Sequence, residues 1–155
     1  MKTLVIGLGN PILTDDGVGV KVAYAVQNEL EVTGTSGEND ERDPTNAVSN
    51  SHLNIDVTEA SVGGLRLMEM MIGYDRVIII DALTTVDAPP GTIHHLDLSE
   101  LEEISPTQHS ASAHDASLVT ALDSGRRMGL PLPHDISIYA VSVENIIDFS
   151  DTPTP

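Results

Sequence analysis

Arg76-Val77-Ile78-Ile79-Ile80-Asp81-Ala82 constrains the fold more than any other stretch. Four successive β-branched apolar residues form a strand that must be buried on both faces, as in the middle of a parallel sheet. A parallel sheet needs crossovers, and the rest of the chain supplies them. Thr3–Leu8 reads as a first strand, and residues 15–30 as a helix. Leu53-Asn54-Ile55-Asp56-Val57 alternates as a second strand. Glu59 to Gly64 reads as a turn, followed by Leu65, Leu67, Met68, Met71 and Ile72 at helical spacing. Thr92–Leu96 reads as an edge strand, and residues 115–127 as a helix with Ala116, Leu118, Val119 and Leu122 inward. Asp135–Val143 reads as a last strand. Alternating strands and helices predict an α/β fold: a three-layer sandwich, a mostly parallel twisted sheet with helices on both faces. The 155 residues fit a single α/β domain. Residues 33–52, polar and nearly free of large apolar side chains, are expected to form a mobile loop.

Composition narrows the function. With 24 acidic against 7 basic residues the net charge is −17, which argues against nucleic acid as a partner. Solubility in a salty cytoplasm and a basic protein partner both fit that charge. No apolar stretch reaches membrane-spanning length, so no membrane partner is expected. The absence of cysteine excludes disulfides, thiolate metal sites and a cysteine nucleophile, and a cytoplasmic location is expected.

The chemistry concentrates in Gly7-Leu8-Gly9-Asn10-Pro11-Ile12-Leu13-Thr14-Asp15-Asp16-Gly17-Val18-Gly19, between the first strand and the first helix. Glycines there permit a tight turn and close backbone approach. Two carboxylates at the start of a helix would repel a phosphate and welcome a cation. Asp15 is expected to cap the helix and Asp16 to serve as a ligand. Ligands of such sheets sit beyond the carboxyl ends of the strands. That rule adds Asp81, at the end of the central strand, and His114, just before the helix of residues 115–127. Two carboxylates and an imidazole suit a divalent transition metal with positions left open. His52, His94, His95, His109 and His134 read as structural or exposed, and the His94-His95 pair as solvent-facing.

The chain resembles the hydrogenase maturation proteases, endopeptidases that trim the large subunit of nickel–iron hydrogenases. The resemblance rests on the motif of residues 7–19, on Val77-Ile78-Ile79-Ile80-Asp81-Ala82, and on Ser112-Ala113-His114 with the helix after it. It implies that Asp16, Asp81 and His114 are the metal-binding and catalytic positions. It also implies aspartic-type removal of a carboxy-terminal extension from a nickel-loaded hydrogenase large-subunit precursor. The nickel would be supplied by that substrate, with no organic cofactor. Many members have an Asp-Gly-Gly-Thr-type segment after the second strand, where this chain has Glu59-Ala60-Ser61-Val62. The resemblance therefore marks Glu59, Gly63 and Gly64 as substrate-binding positions. Members usually continue past the position of Pro155 into a final helix on the sheet, so either a truncated chain or an exposed apolar face is expected here. Peptidyl-tRNA hydrolases share the Gly-Leu-Gly-Asn-Pro opening, but no histidine precedes His52 and the charge is unsuited to tRNA. A non-catalytic metal-binding or scaffolding module of the same fold is the remaining alternative.

Overall fold

The central apolar strand takes the place its sequence demands. The structure, a computed structural model, describes residues 1–34, 48–50, 54–84, 87–100 and 115–155. Six strands form one sheet: β1 (Thr3–Leu8), β2 (Val48–Asn50), β3 (Ile55–Ala60), β4 (Arg76–Leu83), β5 (Ile93–Asp97) and β6 (Asp135–Ser142). Their order is β2-β3-β1-β4-β6-β5. The inner pairings β3–β1, β1–β4 and β4–β6 are parallel, and the edges β2 and β5 run antiparallel to their neighbours. Three helices lie wholly among the described residues, α1 (Val18–Gly34), α2 (Gly64–Met70) and α3 (Asp115–Arg127), and residues 98–100 are also helical.

Alternation along β1 shows how the layers close. Leu4, Ile6 and Leu8 join Val77, Ile79, Ile136 and Ile138 on one face, against Leu67, Met68 and Met71 around α2 and Leu118 and Leu122 of α3. Val5, Val57 and Ile80 point to the other face and pack on Ala23 of α1. Leu67, Met71 and Leu122 are completely buried, so aliphatic and methionine side chains fill a core that is almost free of aromatic rings. The sheet is therefore covered by helices on both faces.

Several local expectations differ from what forms. α1 starts at Val18, not at Asp15, and runs on to Gly34. Glu59 and Ala60 finish β3 through pairing with Gly7 and Leu8, and Gly64 opens α2, so the turn there is only residues 61–63. β4 continues two residues beyond Asp81, because Ala82 and Leu83 still pair with Val141 and Ser142 of β6. Leu65 faces solvent. Of the expected loop 33–52, residues 33–34 close α1 and 48–50 pair with β3; 35–47 and 51–52 lie outside the described residues.

At the amino end of the sheet, the buried carboxylate of Asp56 accepts a hydrogen bond from the Tyr74 hydroxyl at 2.6 Å and an ion pair from Lys2 Nζ at 3.1 Å. The Lys2 ammonium also lies 4.4 Å from the centre of the Tyr74 ring. Burial first, and then the bond to Asp56, push the tyrosine hydroxyl far above its usual range.

At the carboxyl end, the contact that sets the layer spacing is made by Gly19. A Cβ there would stand 2.3 Å from the carbonyl oxygen of Ile80 and 2.4 Å from that of Leu8. Both obstacles are backbone, in β4 and at the end of β1, so neither can turn aside. Gly19→Ala is expected to destabilise the protein by about 2 kcal/mol or more, the scale of overpacking a tight core. Urea unfolding checks this, and an unchanged midpoint would mean that α1 shifts freely.

Candidate functional site

The loop between β1 and α1 is folded around its own backbone. Gly9 adopts a φ of 127°, and a side chain there would collide with the carbonyl of Asp16 at 1.8 Å. Only glycine lets the two backbone segments lie so close. The Gly9 amide donates to the Ala60 carbonyl at 3.1 Å, and the Ser61 hydroxyl donates to the Gly9 carbonyl at 2.8 Å. These bonds tie the loop to the end of β3. Asp16 Oδ2 accepts the Asn10 amide at 2.7 Å, which fixes its carboxylate while leaving it partly exposed.

Asp81 sits near the carboxyl end of β4, the strand next to β1. It is 6% exposed, and its Oδ1 accepts the Ala82 amide at 2.8 Å. Gly19 touches the carbonyls of both Leu8 and Ile80, so the helix following Asp16 seats directly on the strand carrying Asp81. Asp16 and Asp81 therefore belong to the same end of two adjacent parallel strands. His114 lies outside the described residues, immediately before Asp115, the first residue of α3. Among the described residues, no group of three or more His, Asp or Glu side chains is arranged to hold a metal ion. The expected three-residue set thus rests on a histidine whose place is not described.

Glu59 lines a groove of about 390 Å³ beside the loop, together with Ser61, Arg66 and Glu69. The Tyr24 hydroxyl donates to Glu59 Oε2, linking α1 to β3 across the groove's edge. That hydrogen bond, reinforced by burial and by the carboxylate charge, raises the tyrosine's pKa. Arg66 brings a cation to the groove, with Glu69 Oε2 3.4 Å from its guanidinium. Gly63 and Gly64 shape the entry to α2: Gly63 is its extended N-cap, and Gly64 has a φ of 57°.

Asp15 departs from the expectation of a helix cap. It is 2% exposed, and its side chain reaches the far end of the chain. Oδ2 accepts the amide of Asn145 at 2.8 Å, the amide of Glu144 at 3.2 Å and the Thr154 hydroxyl at 2.6 Å. Oδ1 accepts the Thr154 amide at 2.7 Å. The physical reason is competition: four donors from one segment outweigh what the first turn of α1 offers. Neighbouring bonds extend the seam, from Thr14 Oγ1 to the Asp148 carbonyl at 2.6 Å and from the Ser150 amide to the Ile12 carbonyl at 3.0 Å. Sequence reading missed this seam, since nothing local marks contacts across 129 residues or more. On its surface Ile12, Ile147 and Phe149 are exposed.

Burial alone would raise the Asp15 pKa, but the Thr154, Asn145 and Glu144 hydrogen bonds prevail and hold it below the usual carboxylate value. A folded-state pKa below the unfolded one adds stability that is complete above about pH 4, the ordinary value. That stability disappears as pH falls through the lowered value. Asp15→Ala, which strands buried donors, is expected to cost about 2–3 kcal/mol at pH 7. Asp15→Asn should cost less, and its deficit against the natural protein should shrink below pH 4. Chemical unfolding at neutral and acidic pH measures both, and a deficit independent of pH would contradict the ionised role.

Comparison with known proteins follows the same lines. A family model described as hydrogenase maturation protease matches residues 42–149, which contain Asp81 and His114 but not Asp16. The hydrogenase 2 maturation protease of Escherichia coli is 23% identical over 146 residues, covering 94% of this chain and 76% of that protein. The solved structure of an Escherichia coli hydrogenase maturating endopeptidase matches with a TM-score of 0.70 at 23% identity, over 100% of this chain and 82% of that one. A NiFe hydrogenase maturation protease from Thermococcus kodakarensis matches with a TM-score of 0.63 at 21% identity, over 99% of this chain and 87% of that one. These structural likenesses establish a shared fold.

Proposed function

The chain belongs to the hydrogenase maturation proteases, and from that membership we propose that it removes a carboxy-terminal extension from a nickel–iron hydrogenase large-subunit precursor after nickel insertion. What supports this reading is that Asp81 lies near the carboxyl end of β4 and Asp16 in the loop that follows β1, the adjacent parallel strand. That is where open α/β sheets put their ligands. In this reading the nickel arrives as part of the substrate, and Asp16, Asp81 and His114 engage it. Two carboxylates and an imidazole suit a borderline divalent ion, and three protein donors leave room for donors from the precursor.

Hydrolysis then needs little from the protein beyond alignment. Water adds to the scissile carbonyl carbon, the C–N bond breaks, and the leaving amine takes up a proton. A metal beside that bond polarises the carbonyl or the water. The Asn10 amide fixes one oxygen of Asp16, and close packing at Gly19 fixes the spacing of the two aspartate-bearing segments, so the carboxylates meet the metal with little reorganisation. The groove beside Glu59 lies next to this loop and suits an extended segment of the precursor, with Glu59 on its wall and Gly63 and Gly64 following Val62, which also lines it. Among the described residues no helix is long and apolar enough to cross a membrane. We place the reaction in the cytoplasm, where a cysteine-free chain loses nothing to reducing conditions.

Incubation with nickel-loaded precursor, followed by mass spectrometry, tests the proposal. The extension should be lost from nickel-loaded precursor and retained on nickel-free precursor. Asp16→Asn, Asp81→Asn and His114→Ala should each slow cleavage by about 100-fold or more, as expected when a group acting at the reacting centre is removed. Binding of the precursor without cleavage would favour a scaffolding module instead.

A further inference from the structure

Phenylalanine occurs once in this chain, and tryptophan not at all. A core so short of aromatic rings would gain from burying it, yet Phe149 is 81% exposed. Ile147, two residues earlier, is equally open, and Ile12 is exposed on the other side of the seam. Leu13 pairs with Ser150 in a parallel bridge, which sets Ile12 beside Phe149 on the same face. Single apolar side chains in solvent need no explanation, but large ones gathered on one rim do.

The rim is also firmly built. The peptide before Phe149 is fixed through the Asp148 carbonyl, which accepts the Thr14 hydroxyl at 2.6 Å. The peptide after it is fixed through the Ser150 amide, which donates to the Ile12 carbonyl at 3.0 Å. Asn145 Oδ1 accepts the amides of Ile147 and Asp148, both at 3.1 Å. An aromatic ring on a backbone held at both neighbouring peptides has little freedom left to lose on binding, and such anchors dominate interfaces. Asn10 joins this rim to the candidate site. Its amide donates to Asp16 Oδ2 at 2.7 Å, while its side-chain oxygen accepts the Ile12 amide at 3.2 Å.

Charge decides what covers the rim. Residues 144–151 carry Glu144, Asp148 and Asp151 without any Lys or Arg, and residues 9–17 add Asp15 and Asp16, again with no cation. Lys21 borders the seam, where its ammonium donates to the Asp151 carbonyl. A second copy of this chain, also at −17, would press an equally acidic border against this one. A different protein that offers an apolar pocket bordered by Lys or Arg meets both features. We infer that Phe149, with Ile147 and Ile12, anchors the enzyme on the folded hydrogenase large-subunit precursor, in an apolar pocket with a basic border near the scissile segment. This docking role rests on the proposed cleavage of that precursor and adds a recognition surface separate from the nickel-engaging residues.

Steady-state cleavage of nickel-loaded precursor by the full chain, with KM and kcat measured separately, is the test. Phe149→Ala should raise KM at least about tenfold and leave kcat within about twofold, as expected when docking is lost and chemistry is not. Phe149→Leu, which keeps an apolar side chain, should recover part of that loss. The natural protein's kcat/KM should fall as salt rises, and Asp151→Asn should flatten that fall. Met128→Ala, at an exposed apolar position just after α3, should behave like the natural protein. Unfolding curves for each variant confirm that the fold is intact. Cleavage by the natural protein together with an unchanged KM for Phe149→Ala overturns the docking role and leaves the protease reading standing. A natural protein that sediments as a dimer, which Phe149→Ala dissociates, assigns the rim to self-association and overturns it too. Failure of the natural protein to cleave nickel-loaded precursor overturns both.

Discussion

The approach of Gly19 to the strand carbonyls of Leu8 and Ile80 is the contact on which the rest of the molecule depends. It brings the first turn of α1 down onto two adjacent parallel strands without an intervening side chain. Gly7 completes the interface, since a Cβ there would lie 2.3 Å from the Gly19 carbonyl. The loop carrying Asp16 is consequently as firmly located as the sheet. A site assembled on rigid elements in this manner holds its geometry better than one on free loops.

Adjacent aspartates in the same loop have divided their work. Asp15 is spent on cohesion, with its charge held by hydrogen-bond donors from a distant segment. Asp16 uses a single amide and keeps part of its carboxylate in solvent. In sequence the two are interchangeable, and either would serve as a helix cap or a ligand. Their roles separate only once the segment of residues 144–154 closes over the loop, which is tertiary information.

Elements governed by a continuous local signal were legible: β4 from its β-branched run, β1 from its apolar stretch, and α3 with both boundaries. β2 was not, because Val48-Ser49-Asn50 is too short to carry a pattern and exists through its pairing with β3. Asp16 and Asp81 could be selected from topology alone, one in the loop after β1 and one near the carboxyl end of β4. The setting of His94 could not be read in this way, since its neighbour is also a histidine and only the assembled sheet says which ring meets the Ser142 hydroxyl. Family membership, from the match to residues 42–149, agrees with the resemblance visible in the motifs. Glu59, Gly63 and Gly64 were marked as expected substrate-binding positions only by that resemblance. The groove beside Glu59 becomes apparent when β3 and α2 are assembled.

The tether between Asp15 and Thr154 has a practical corollary for handling the protein. Strain applied to the segment around Thr154 would pass through that tether to the loop that carries Asp16. Met1 is 80% exposed, just before the strand end where Lys2 and Asp56 meet. Labels and surface attachment belong on that side.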